Sequence, residues 1–118
     1  MISSIIALAF VSREAAHRAH LATKSYAEHQ ALGSFYVEVI EAADALAEAA
    51  QGRMGLLEIP YLKRSQAKGI VEELRGYLDS IEEARYEGEA ADDAPLQNLI
   101  DALIEVYLST LYKLENLS

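Results

Sequence analysis

The chain has 118 residues, 52% of them hydrophobic, and no cysteine. That length supports one core, and the missing thiols exclude disulfides, thiolate metal sites and cysteine nucleophiles. A net charge of −9, from 19 acidic against 10 basic residues, argues against neutralising a phosphate backbone and favours cations or a basic partner surface.

Glycine and proline number only six and two, so long uninterrupted elements are expected. The abundance of Ala, Leu, Glu and Ile points to helices, and the sparse Val and Thr argue against a sheet. Residues 1–10 are apolar, yet a membrane span takes about 20 residues. They lack a basic leader, and Arg13 and Glu14 follow closely. The expectation is a buried helix start in a cytoplasmic protein with no membrane partner.

A first helix is predicted over 3–21, with Ile5, Leu8, Ser12, Ala15 and Ala19 spaced three to four apart on its buried stripe. After a break at 22–25, Ser25-Tyr26-Ala27-Glu28 has the form of a capping box. It opens a second helix over 26–51, with Leu32, Tyr36, Ile40, Ala43 and Ala47 inward and Gly52 as a stop. Gly33 inside this pattern costs helix stability and marks a close approach. Residues 53–60 form a connection punctuated by Gly55 and Pro60.

A third helix is predicted over 61–86, with Ala67, Ile70, Leu74, Leu78 and Ile81 inward. Lys63, Arg64, Lys68 and Arg75 give it a basic face, with i,i+4 pairs Lys68–Glu72 and Arg75–Asp79. A polar loop carrying Glu87, Glu89 and Asp92 follows. Asp93 then caps a fourth helix over 94–116, with Pro95 in its first turn. No repeat or linker interrupts the chain, so residues 1–118 read as one domain: an all-α, antiparallel four-helix bundle.

His17, His20 and His29 flank the first turn. A turn centred near Thr23 sets His17 and His29 at one level, where two neutral imidazoles can share a metal. Asp44 and Glu48 are four apart, hence on one helical face, and Glu41 extends the acidic stripe. Along a helix His29 and Asp44 lie about 22 Å apart, too far for one ion. These residues are therefore either unrelated features, a polar turn and a solvated acidic face, or the two halves of one intersubunit metal site.

The spacing His17-x11-His29-x14-Asp44-x3-Glu48 resembles the ferroxidase motif of the Dps mini-ferritins. His-Arg-Ala-His at 17–20, Tyr36 and Asp44-Ala-Leu-Ala-Glu48 resemble the same family. The resemblance implies a ferritin-like bundle and a homo-oligomer, a dimer at least and up to a cage. It also implies Fe, or Zn in its place, held by His17 and His29 of one subunit and Asp44 and Glu48 of another, with ferroxidase activity. The chain departs from the family at Gly33, where a carboxylate is usual, at Arg18, where a Trp is usual, and in lacking a Lys-rich tail. The sequence is also similar to small ferritin-like proteins encoded by phages, which implies a host-cytoplasm or virion setting. There the alternative is an inactive interaction or structural module with a protein partner.

The charge balance carries its own expectation. Duplex DNA at physiological salt should show no retardation by this protein in a gel-shift assay; tight, salt-sensitive retardation would contradict the reading.

Overall fold

The computed structural model describes residues 1–118 and consists of four helices with no strand. They are α1 (Ile2–Ala22), α2 (Tyr26–Met54), α3 (Ile70–Ala84) and α4 (Ala94–Asn116). Local chemistry sets three of the ends. Ser25 Oγ accepts the Glu28 N–H at 3.2 Å and opens α2. Asp93 Oδ1 accepts the Leu96 N–H at 3.2 Å and opens α4, whose early proline gives up an N–H that has no helical partner. α2 closes at Gly55, whose φ of 84° suits a residue without Cβ.

A cluster of 25 buried residues, drawn from all four helices and from Ala90 in the loop between α3 and α4, forms the core. At its centre the Tyr107 hydroxyl donates to Ser12 Oγ at 2.6 Å, and Ser12 donates to the Leu8 carbonyl at 2.7 Å. Phe35 meets Tyr107 edge to face at 5.1 Å. Burial pushes the Tyr107 phenol far above its ordinary pKa, so this chain of hydroxyls stays neutral.

At one end of the molecule, the Met1 ammonium donates to the Ala84 carbonyl at 3.2 Å, and Arg53 binds Asp93 at 2.9 Å. That end gathers the start of α1, the end of α2, the end of α3 and the start of α4. At the other end, His20 packs on His29, and Arg75 pairs with Glu115. α1 and α4 each pack on both α2 and α3, and they reach each other across the centre through Ser12 and Tyr107. No helix is long and apolar enough to cross a membrane.

The structure corrects the third predicted helix. Residues 61–69 are not helical, and α3 begins at Ile70. Residues 55–69 instead form a connector that climbs α1. Ile59 and Pro60 lie beside Ser3 and Ser4, and further along Tyr61, Leu62 and Arg64 line a groove of about 400 Å³ with Phe10, Val11 and Glu14. The segment ends near Glu28. Ala67 is therefore not a core position of a helix.

The basic face is likewise used within the fold. Arg64 forks onto the buried Glu73 at 3.0 and 2.8 Å, Tyr77 O–H donates to Glu73 at 2.6 Å, and the Ser65 N–H donates to the Tyr77 oxygen at 2.9 Å. Arg75 pairs with Glu115 rather than Asp79. Lys68 meets Glu72 through its backbone N–H.

Burial would raise the Glu73 pKa, but hydrogen bonds from Arg64 and Tyr77 outweigh it and hold the carboxyl below its usual range. A depressed folded pKa contributes stability above the ordinary carboxylate pKa, and that stability is lost as pH falls through the lowered value. Arg64→Ala leaves a buried carboxylate short of two charged donors and should cost about 2 kcal/mol. The protection factor of the Ser65 amide, read against the intrinsic exchange rate, should fall in the variant, and in the unaltered protein it should fall on acidification through the lowered Glu73 pKa. Unchanged protection at Ser65 in the variant would show that the fork does not hold the connector.

Candidate metal centre

The three histidines converge where α1 ends and α2 begins. The His20 and His29 rings stack with centroids 3.8 Å apart and planes 16° from parallel. His20 Nδ1 lies 2.7 Å from the His29 carbonyl, and His29 Nδ1 lies 2.8 Å from the His20 carbonyl. A carbonyl only accepts, so each Nδ1 carries the proton and donates. In the neutral form the lone pair of each ring then sits on Nε2.

His17 has different surroundings. Its ring stacks on Tyr36 at 4.2 Å, and its Nδ1 lies 3.2 Å from an Arg13 guanidinium nitrogen. The Arg13 guanidinium also sits 5.8 Å from the Tyr36 ring centre.

The expected level is therefore shifted. His29 faces His20, not His17, because α1 runs on to Ala22 and α2 is capped at Ser25. The hairpin turns about a point between residues 24 and 25, beyond Thr23. His17 remains in the cluster, 6.3 Å from His20 between ring centres.

Gly33 takes its meaning from this packing. A Cβ there would stand 3.0 Å from His20 Cε1 and 3.2 Å from Nδ1. The glycine seats the imidazole, as close approach requires. Sequence reasoning paired His29 with His17 and gave His20 no partner. The signal that could have placed it is this helix-weakening glycine four residues after His29.

Asp44 and Glu48 stand exposed on the outer side of α2, further along the helix. No three His, Asp or Glu side chains of one chain gather closely enough to hold a metal ion. The structure thus unites His17, His20 and His29 and keeps Asp44 and Glu48 apart from them within the chain.

Residues 20–114 match a family described as a family of unknown function, DUF5856. The chain belongs to the DUF5856 family. No curated protein and no solved structure matches it. The span shared with DUF5856 takes in His20, His29, Gly33, Asp44 and Glu48 and begins after His17.

The donor chemistry suits a borderline cation. Imidazole nitrogens and carboxylate oxygens bind iron or zinc, with geometry set by the protein. In this DUF5856 chain His20 and His29 have their Nδ1–H groups fixed on backbone carbonyls, and His17 does not.

The seat for His20 can be measured. Gly→Ala in a helix interior gains about 1 kcal/mol of helix propensity. Gly33→Ala should forfeit that gain by displacing His20, and in a His20→Ala background it should deliver it. A double-mutant cycle by chemical denaturation reads the coupling. Full stabilisation by Gly33→Ala alone would sink this account.

Proposed function

We propose that this protein is a ferritin-like, Dps-like metal-binding protein whose site is completed by a second copy of the chain. The histidine half, around His17 and His29, comes from one copy, and Asp44 and Glu48 come from the other. One observation carries the reading. His29, half-buried against α1 near the start of α2, and the exposed Asp44 and Glu48 lie on one helix about 22 Å apart, with Val37 exposed between them. If two copies pair α2 antiparallel about a point near Val37, His29 of one copy faces Asp44 and Glu48 of the other. A two-fold contact is self-complementary, so it makes two equal sites.

The arrangement of helices supports this. Packed neighbours run in opposite directions, and one long connection carries the chain from the end of α2 to the far end where α3 starts. One long crossover is the ferritin-like form of the four-helix bundle. Iron bound between the copies would bring redox chemistry, and the protein supplies ligands and position. Zn(II) suits the same ligands.

Gly33 favours a second reading. Where the resembled family carries a carboxylate, this chain has the His20 ring over a glycine. A bundle that gave up a ligand there would be an interaction module, using the exposed face of α2 to bind another protein.

Anaerobic Fe(II) titration with mass measurement separates the two. On the metal reading the protein is at least a dimer, and His29→Ala or Asp44→Ala each abolishes binding. Mixing the two variants restores part of it, because one of the two sites in a mixed dimer has both halves intact. A protein that stays monomeric at high concentration and takes up neither iron nor zinc belongs to the second reading.

A further inference from the structure

We propose that the connector between α2 and α3 carries a processing site: a Lys/Arg-specific endopeptidase hydrolyses the bond between Lys63 and Arg64, and the two resulting chains stay assembled. None of the residues of the metal reading takes part, so the two stand or fall separately.

Endopeptidases hold their substrates as an added strand, through main-chain N–H and C=O groups, and strand pairing engages alternate residues. For a cut after Lys63 the residues engaged are Lys63, Tyr61 and Ile59. None of their backbone groups bonds another part of the protein. The nearest fixed amides lie on either side, Leu57 on Gln51 and Ser65 on Tyr77. Pro60, which has no N–H, falls outside the alternate set. Tyr61, Leu62 and Lys63 are exposed, and exposed, non-helical segments are where nicking concentrates.

The specificity pocket of such an enzyme offers a carboxylate to a Lys or Arg side chain. Lys63 is free to enter it, because it makes no ion pair within the protein. Its neighbour Arg64 is already forked onto Glu73. The other two connections present no comparable stretch. Around Lys24 only three residues separate α1 from α2, and the N–H and C=O of Ser25 are both taken. Arg85 donates its N–H to Ile81, its carbonyl accepts from Gln97, and its guanidinium binds Asp101. Within the connector, the Lys68 N–H is held by Glu72.

Hydrolysis adds one water across the amide: the C–N bond breaks, a carboxyl forms on Lys63, and Arg64 keeps the nitrogen as a new amino group. The cut parts α1 and α2 from α3 and α4 but removes no core contact. The buried cluster draws on both halves, and the Tyr107–Ser12, Arg53–Asp93 and Met1–Ala84 bonds join them.

Trypsin at low ratio, acting on the folded full-length protein, should make its first cut after Lys63. Native mass spectrometry should then find one assembly, heavier by one water for each chain cut. Under denaturing conditions it should find residues 1–63 and 64–118. Lys63→Gln alters only an exposed side chain and should slow cleavage of the connector by at least about tenfold. A first cut at Lys24, Lys68 or Arg85, an unchanged rate in Lys63→Gln, or cleavage no faster than global unfolding overturns the site. Fragments that separate under native conditions overturn the two-chain product.

Discussion

Between the end of α2 and the start of α3 the chain must pass from one end of the bundle to the other, in a molecule 43 Å long. As a helix, residues 55–69 would advance only about 22 Å; extended, they reach about 50 Å. Extended backbone has no hydrogen bonds of its own here, so neighbours supply them. Gln51 accepts the Leu57 N–H, Tyr77 accepts the Ser65 N–H, and Glu72 accepts the Lys68 N–H. The buried Glu73 is tolerable because Arg64, carried on the connector itself, neutralises it. Because the connector climbs the outer side of α1, the outer strip of α2 is left bare. The same crossing that shortens α3 thus decides which face can meet a partner.

That constraint also explains which parts of the fold were legible in the sequence. α4 was readable to its ends, because Asp93, Pro95 and an apolar repeat all point the same way. The start of α2 was readable from Ser25. The start of α3 was not. Residues 61–68 include Leu, Lys, Arg, Gln and Ala, which favour a helix locally. The demand that overrules them is the distance to be covered, and it exists only once the other helices are in place. Local preference is a weak guide wherever a tertiary requirement opposes it.

The candidate site shows the same division at finer scale. The presence of a histidine cluster and a separate carboxylate pair was legible from spacing alone. Which histidines face one another was not. His17 and His20 are three apart, hence on the same side of α1, so a small displacement of the turn exchanges one for the other as the partner of His29. Proton placement on the rings is further still from the sequence. It depends on Arg13 reaching one ring and two carbonyls reaching the others, and those contacts follow from how α1 and α2 pack.

The charges along α2 bear on how two such strips would meet. Up to Val37 the exposed residues of α2, Tyr26, Gln30 and Ser34, are uncharged, and the half-buried Glu28 is the one carboxylate. Beyond Val37 the exposed residues include Glu38, Glu41, Asp44 and Glu48. A parallel pairing of two copies sets carboxylates against carboxylates. The antiparallel pairing sets Glu41, Asp44 and Glu48 of each copy against the histidine-bearing part of the other, and leaves the two Glu38 side chains near the axis. Like charges placed together oppose association, so the distribution selects the antiparallel form. Each chain still brings a net charge of −9, and two copies repel overall. On the proposed reading a divalent cation at the junction relieves that repulsion where it is most concentrated. Because the ion would bind the paired state and not the separate chains, metal binding and association are linked: each must strengthen the other. The acidity that argues against a nucleic acid partner would then make the assembly responsive to metal.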